Sequence, residues 1–137
     1  MQIQPYLFFN GTCDEAIAFY RTALGAEQVM LMRFRDSPEP LDPARVPPGM
    51  EDKVMHARLR IGDSVVLLSD GGCMGGAGFQ GFHLSLTVEN EAEADRTFAA
   101  LAEGGKVQMP LAKTFFSPRF GMVQDRFGVG WMVYVGA

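Results

Sequence analysis

Two histidines and two cysteines are the side chains of this 137-residue chain best suited to metal binding or covalent chemistry. Imidazole can hold a divalent ion or move a proton near neutral pH, and a thiolate can act as a nucleophile. Cys13 and Cys73 form neither a metal-binding pair nor a C-x-x-C motif, so we predict plain thiols, with a nucleophile at Cys73, near His83 in sequence, as the alternative. For His56 and His83 two interpretations stay open: a hydrogen bond to a neighbour that tunes the polarity of a pocket, or a metal ligand.

Two stretches, Cys13–Leu24 and Glu91–Glu103, carry the apolar spacing of amphipathic helices. Thr12 or Asp14 is expected to cap the first helix, because a short oxygen-bearing side chain can accept from an N–H of the first turn. Acidic residues in the first turn of the second helix suit the helix dipole. Glycine follows both stretches, which predicts that both helices end there.

A strand is predicted before each helix and three more after it, so the chain divides into two similar halves. In the first half the predicted strands are Tyr6–Phe9, Gln28–Arg35, Val54–Ile61 and Ser64–Ser69. In the second half they are His83–Val88, Lys106–Met109, Phe120–Gln124 and Gly130–Val135. Phe19 aligns with Phe98 and Gly25 with Gly104. The pattern predicts an α+β protein of two βαβββ repeat units.

The chain is expected to be one domain, 1–137, with unit 1 at about 1–70 and unit 2 at about 82–137. The glycine-rich connector 71–81 contains a G-x-G-x-x-G pattern at Gly76–Gly81. We predict a hinge there, because the pattern binds dinucleotides only where it opens a helix. The proline-rich segment 36–52 is predicted to be a loop that serves as a lid, a dimer arm or plain surface.

Pairing of two such mixed sheets would enclose a concave cleft that can hold a ligand. Alternation along the first strand of each unit predicts which side chains face that cleft: Gln4, Tyr6, Phe8, His83, Ser85 and Thr87. His56 is expected on the same side, because its strand carries apolar residues on the other. Met132 and Tyr134 either line the pocket or fill the core.

The loop before Phe120 mixes aromatic residues with one positive charge. Phe116 and Arg119 are predicted to close over an anionic or aromatic ligand, with Arg119 contacting the anion. The alternative is a surface loop with Phe115 or Phe116 packed into the core.

Composition excludes several classes of protein. The chain has 12 basic and 16 acidic residues, which argues against a nucleic-acid partner. No apolar run approaches the roughly 20 residues that span a bilayer. Residues Met1–Phe9 lack the features of a signal peptide, so we expect a cytoplasmic protein without a membrane partner.

Segments along nearly the whole chain resemble the vicinal oxygen chelate superfamily (glyoxalase I, extradiol dioxygenases and bleomycin-resistance proteins), and more closely its PhnB-like branch. They are Pro5–Gly11, Ala18–Tyr20, Leu24–Ala26, His56 before Ile61–Gly62, Ser69–Asp70, Gly104–Leu111, Phe120–Asp125, Phe127–Gly128 and Trp131–Val133. In this order they indicate the branch, although they do not specify a reaction.

The resemblance also implies four strand positions at which metal-dependent members place His, Glu or Gln ligands. Here those positions carry Gln4 (or Tyr6), Val66 (or Leu67), His83 and Met132. His83 is the one good ligand, with Gln4 as a weak second, and His56 could complete an unconventional set. We therefore expect no firm cofactor, with a divalent metal as the alternative.

The resemblance implies a PhnB-like homodimer of unestablished activity that binds a small organic molecule in the cleft. The predicted ligand-binding residues are Gln4, Tyr6, His56, His83, Phe116, Arg119, Met132 and Tyr134. The alternatives are a divalent-metal-dependent lyase, isomerase or dioxygenase that uses His83, and an interaction module with a filled cleft. Some PhnB-like proteins carry methyltransferase names, but this sequence shows no cofactor-binding strand–loop–helix motif that would support a methyltransferase.

Overall fold

A computed structural model of the chain describes residues 1–43, 46–71 and 78–136. The chain divides into two compact units, Met1–Ala77 and Gly78–Ala137, and the division falls inside the predicted connector. The predictions for Cys73 and for the first residues of the G-x-G-x-x-G pattern lie outside the described residues.

Unit 1 folds as a four-stranded mixed sheet with one helix. Its elements are β1 (Tyr6–Phe8), α1 (Cys13–Leu24), β2 (Glu27–Arg33), a short 3₁₀ turn (Phe34–Asp36), β3 (Val54–Ile61) and β4 (Ser64–Ser69). The strand order is β1-β4-β3-β2. β1 runs parallel to β4, and the other neighbours are antiparallel.

Unit 2 repeats this arrangement. Its elements are β5 (Leu84–Val88), α2 (Glu91–Ala102), β6 (Lys106–Ala112), β7 (Phe120–Gln124) and β8 (Gly130–Val135). The strand order β5-β8-β7-β6, with β5 parallel to β8, matches that of unit 1. The predicted α+β fold of two βαβββ units is therefore confirmed.

Two predicted strand ends were wrong by two residues or more, in each case for a local reason. β2 ends at Arg33 rather than Arg35, because buried Phe34 begins the 3₁₀ turn and the carboxylate of Asp36 accepts from the backbone N–H of Arg33. β6 continues through Pro110 to Ala112. A proline fits there because β6 is an edge strand, so one side of its backbone needs no ladder partner.

The structure confirms Thr12 as the N-cap position of α1, but the predicted side-chain capping bond was wrong. Thr12 is the N-cap residue but its side chain makes no capping hydrogen bond, and Asp14 instead binds Arg33. The carboxylate of Asp70, which follows β4, accepts from the backbone N–H groups of Gly11 at 2.8 Å and Cys13 at 3.0 Å. The start of α1 is thus fixed by a residue distant in sequence.

Each helix packs on one face of the sheet of its own unit. In unit 1 the buried side chains on that face and on α1 are Leu7, Phe9, Ala16, Ile17, Tyr20, Ala57, Leu59, Val66 and Leu68. In unit 2 they are Val88, Ala94, Phe98, Leu101, Val123, Trp131 and Val133. Because side chains alternate along a strand, the intervening residues lie on the opposite face, which we call the helix-free face.

Within the described ranges, neither helix is long and apolar enough to cross a membrane.

Candidate functional site

The helix-free face of unit 1 contains a row of four side chains that crosses all four strands. In strand order the row is Tyr6, Leu67, Arg58 and Met30. Residues paired across neighbouring strands point to the same side of a sheet, so these side chains share one face. Phe8 and Ser69 are paired beside this row, as are His56 and Met32.

A hydrogen-bonded pair of side chains, Tyr6 and His56, lies on this face. Tyr6 Oη is 2.8 Å from His56 Nδ1, although the residues belong to strands that are not neighbours. Phe8 stacks on Tyr6 with ring centroids 4.7 Å apart and an interplanar angle of 14°. Tyr6 and Phe8 are each 38% exposed, so the face presents an aromatic surface beside an imidazole.

The protonation of this pair follows from its surroundings. Burial, and then the positive charge of Arg58, lower the pKa of His56, which favours the neutral imidazole. Burial raises the pKa of Tyr6, which keeps the phenol protonated. We assign the phenol as the donor to Nδ1, because it is the stronger donor of the two, and the ring proton is then on Nε2.

The lowered pKa of His56 predicts a pH dependence of stability. The unfolded chain, in which the His56 pKa is near 6.5, binds this proton at a higher pH than the folded chain does. This contribution to the free energy of unfolding is therefore complete above about pH 6.5 and is lost as the pH falls through the folded pKa. Urea unfolding at pH 7.5, 6.5 and 5.5 should show a smaller loss in His56→Gln than in wild type.

Arg58→Gln provides the control for this effect. Because it removes a charge that lowers the His56 pKa, the variant should show a pH dependence between those of wild type and His56→Gln. Equal pH profiles in all three proteins would refute the assignment of this proton to His56.

In unit 2, the helix-free face carries a second histidine-centred hydrogen bond. His83 Nε2 is 2.7 Å from Gln108 Oε1, on β6 at the far edge of the sheet. Gly130 on β8 makes room for the His83 ring, because a Cβ at that position would lie 2.9 Å from His83 Nε2. The position of the His83 ring therefore depends on the absence of a side chain at Gly130 and on the hydrogen bond to the amide of Gln108.

The sequence pattern did not identify Gln108 as a candidate site residue. It lies at an irregularity in the β6–β7 pairing, where Val107 pairs with Val123 and Met109 pairs with Met122. Such an irregularity turns a side chain out of strict alternation. The signal that could have identified it is the shift between the register of Val107 and that of Met109, which appears only once the strands are paired.

Two further predicted residues, Met132 and Tyr134, lie on the helix-free face of unit 2. Ser85 pairs with Met132, and Thr87 pairs with Tyr134. Met122 pairs with Met132 from the other side, so methionines occupy the middle of this face. The structure brings Met132 and Tyr134 together with the β5 side chains, and both are partly exposed.

Three predicted residues, Gln4, Phe116 and Arg119, lie outside the strands. Gln4 is partly buried and precedes β1. Phe116 is 50% exposed and packs edge-on against Phe120, with centroids 5.1 Å apart. Arg119 Nε donates to Asp95 Oδ1 on α2 at 3.1 Å, so its guanidinium has a carboxylate partner from the helix. Its contact with an anionic ligand stays a prediction.

The donor set at the four family metal positions does not fit a hard divalent ion. The register equates Leu67 with Met132, because Tyr6 pairs with Leu67 and its counterpart Ser85 pairs with Met132. A hydrocarbon side chain and a thioether supply no oxygen or nitrogen ligand. The Nε2 atom of His83 is already hydrogen-bonded to Gln108. Within 1–43, 46–71 and 78–136, no three His, Cys, Asp or Glu residues are grouped to hold a metal.

Comparisons with known proteins agree with this fold. Residues 2–133 match the model of the Glyoxalase/Bleomycin resistance protein/Dioxygenase superfamily. Protein YjdN of Escherichia coli (strain K12) is 38% identical over 140 residues, which cover 98% of this chain and 95% of that protein.

Two solved structures are similar over almost their full length. Protein PA1353 from Pseudomonas aeruginosa is 47% identical with a TM-score of 0.86, covering 99% of this chain and 98% of that one. The PhnB protein from Bacillus cereus, described as a putative 3-demethylubiquinone-9 3-methyltransferase, is 29% identical with a TM-score of 0.80, covering 99% of this chain and 100% of that one. The chain thus belongs to the Glyoxalase/Bleomycin resistance protein/Dioxygenase superfamily and is PhnB-like.

Proposed function

We propose that this protein binds a small organic molecule on the helix-free faces of its sheets. The observation that carries the proposal is the Tyr6–His56 hydrogen bond beside the exposed, stacked ring of Phe8. Ligand sites combine a mostly apolar lining with a few placed polar groups that fix orientation. An aromatic surface next to an oriented imidazole provides both.

The exposure of these rings supports a binding role over a plain surface role. A sheet face that only meets water tends to carry charged and small polar side chains. Here Tyr6 and Phe8 are each 38% exposed, next to one another on a single strand. Exposed apolar side chains that contact one another on a sheet face are typical of interaction sites.

The methionines support the same role in both units. Five of the nine lie on helix-free faces by register: Met30, Met32, Met109, Met122 and Met132. A thioether on an unbranched, flexible chain adapts to ligands of different shape. We therefore propose that each face has a lining that adjusts to its ligand, with His56 as the oriented group in unit 1 and His83 as the oriented group in unit 2.

We propose ligand binding and no catalysed reaction, because the residues present do not fit the family's metal chemistry. The hypothesis of a lyase, isomerase or dioxygenase needs an ion on His83, and the other family positions supply no second strong ligand. The description of the Bacillus cereus relative as a putative methyltransferase applies to that protein. We do not propose the same reaction here, because the sequence shows no cofactor-binding strand–loop–helix motif.

We extend the proposal to a cytoplasmic homodimer. In the described residues, β2 and β6 each pair on one side only and present exposed residues along much of their length. Unpaired edges of this kind gain from being covered by a second copy. Light scattering coupled to size exclusion would test this, and a monomeric mass at micromolar concentration would contradict it.

A thermal-shift screen of small organic acids, amides and aromatic compounds tests the proposed binding. A ligand at 100 times its Kd stabilises the folded protein by about 2.7 kcal/mol, which raises Tm by several degrees. A compound that binds on the face of unit 1 should bind about five- to tenfold more weakly to Phe8→Ala, because the variant removes half of the aromatic surface there.

Val107→Ala is the matched control for the loss of an exposed apolar side chain. Val107 is 44% exposed and pairs with Val123, which lies on the helix-covered side of its sheet. Its replacement should leave binding within twofold of wild type. A screen with no stabilising compound would refute the proposal. So would compounds whose affinity falls in Val107→Ala and does not fall in Phe8→Ala.

A further inference from the structure

We infer that the ligand on the helix-free face of unit 1 is a small aromatic or unsaturated carboxylate whose anionic end is bound by Arg58. The inference rests on the proposed function and specifies its ligand class. Arg58 lies on β3, in the interior of the sheet, with an exposed side chain.

Arg58 differs from the other strand arginines in having no acidic partner. Arg60, two residues along the same strand, forms an ion pair with Glu27 on β2. Arg33 binds Asp14 through both guanidinium NH groups, at 2.9 and 3.0 Å. For Arg58, the described part of the chain shows no ion pair and no side-chain hydrogen bond.

The neighbours of Arg58 explain this difference. Its cross-strand partners are Leu67 on β4 and Met30 on β2, both apolar. The corresponding β2 partner of Arg60 is Glu27, which neutralises that charge. An unpaired guanidinium between apolar side chains attracts an anion more strongly than one in open water, because solvent screens it less. Its planar fork suits a carboxylate in particular.

The apolar part of the ligand is indicated by the same row of residues. Tyr6 is separated from Arg58 by one strand, and strands lie about 4.8 Å apart, so the two backbones are about 10 Å apart across Leu67. A single ring bearing a carboxylate fits that span. Its ring would lie on Leu67 and against the Tyr6–Phe8 stack, with its carboxylate at the guanidinium.

His56 supplies a second donor at the anionic end. Its Nδ1 accepts from Tyr6, which leaves the N–H on Nε2 for a ligand. His56 Nε2 makes no hydrogen bond to the part of the chain that the structure describes. Every buried side-chain nitrogen or oxygen of the described residues has a hydrogen-bond partner, so Nε2 is not buried and is accessible. A guanidinium and a neutral imidazole N–H together favour an acceptor-only anion over a neutral amide.

Three acids and their amides test this inference: benzoate, phenylacetate and cinnamate, each compared with its primary amide. Each pair keeps the shape of the ring and the side chain and changes the charge. Binding is measured by calorimetry on wild type, Arg58→Gln and Arg60→Gln, with inorganic phosphate as an anion without a ring. Arg60→Gln is the matched control, because it removes a paired arginine from the same strand and face.

We expect at least one acid to bind wild type about tenfold more tightly than its amide, and about tenfold more weakly to Arg58→Gln. Arg60→Gln should change its Kd by less than threefold, and phosphate should bind more weakly than the acid. Amides that bind as tightly as the acids, or equal losses in the two variants, would overturn the inference and leave the proposed function standing. Absence of binding by all six compounds and by every compound of the thermal-shift screen would overturn both.

Discussion

Asp70→Ala is expected to lower the free energy of unfolding by about 3–4 kcal/mol. The carboxylate is 3% exposed and accepts three backbone N–H groups: Gly11 at 2.8 Å, Cys13 at 3.0 Å and Val54 at 3.2 Å. Alanine would leave these donors without a partner, and each buried unpaired donor costs about 1–3 kcal/mol, less where water enters. Urea unfolding at pH 7.5 measures the loss.

Two further variants show whether the loss comes from these bonds. Asp70→Asn keeps one acceptor oxygen and should lose less than Asp70→Ala. Asp52→Ala removes an exposed carboxylate that pairs with Arg35, and should change stability by less than about 1 kcal/mol. A similar small change in Asp70→Ala would show that the junction of β1, α1 and β3 does not depend on this side chain.

Gly105→Ala is expected to have an effect of similar size in unit 2. A Cβ at this position would lie 2.2 Å from the carbonyl oxygen of Gln124 and 3.0 Å from the carbonyl carbon of Asp125. Because both atoms belong to the backbone, no side-chain rotation relieves the contact, and β6 must move away from β7. We expect a loss of about 3–5 kcal/mol, or a fall in Tm of about 10 °C or more.

Gly78→Ala is the matched control, since a Cβ there meets no atom within 4 Å. Its Tm should lie within about 2 °C of wild type, because the substitution adds no contact and restricts only the unfolded chain. A Gly105→Ala variant as stable as Gly78→Ala would contradict the close approach of β6 to β7 at this point.

Periodicity predicted most of the fold because each element is amphipathic within its own unit. The bounds of α1 follow from helical spacing and those of β3, β4, β7 and β8 from alternation, and all agree with the structure. The cap of α1 could not be predicted in this way. Its acceptor, Asp70, meets Gly11 only after β4 pairs with β1, so the contact depends on strand order rather than on the residues near Thr12.

The candidate site was predictable as a set of faces and not as a set of contacts. Alternation correctly placed Tyr6 and Phe8 away from α1, since Leu7 between them is buried. The bond from Tyr6 to His56 depends on two registers, β1 with β4 and β4 with β3, and no local pattern encodes either. The same holds for His83 and Gln108, which lie on opposite edges of their sheet.

The arginines show why charge counting alone does not identify the proposed anion-binding position at Arg58. From sequence, Arg58 and Arg60 are equivalent, since both alternate with apolar residues on one strand. The pairing with β2 separates them, because it puts Glu27 opposite Arg60 and Met30 opposite Arg58. The net charge of −4 describes the whole chain and does not reveal an unpaired cation on one sheet face.

Carbon-13 NMR of the methionine methyl groups tests most directly whether the helix-free faces bind ligand. The protein would be titrated with the compound that raises its Tm most. Met30, Met32, Met109, Met122 and Met132 report on the two faces. Met1, which is fully exposed, and Met50, which is half-buried in the proline-rich loop, report on the rest of the protein. We expect saturable shifts at one or more of the five, and none at Met1 or Met50. Saturable shifts at Met1 or Met50 with none at the five would contradict the account.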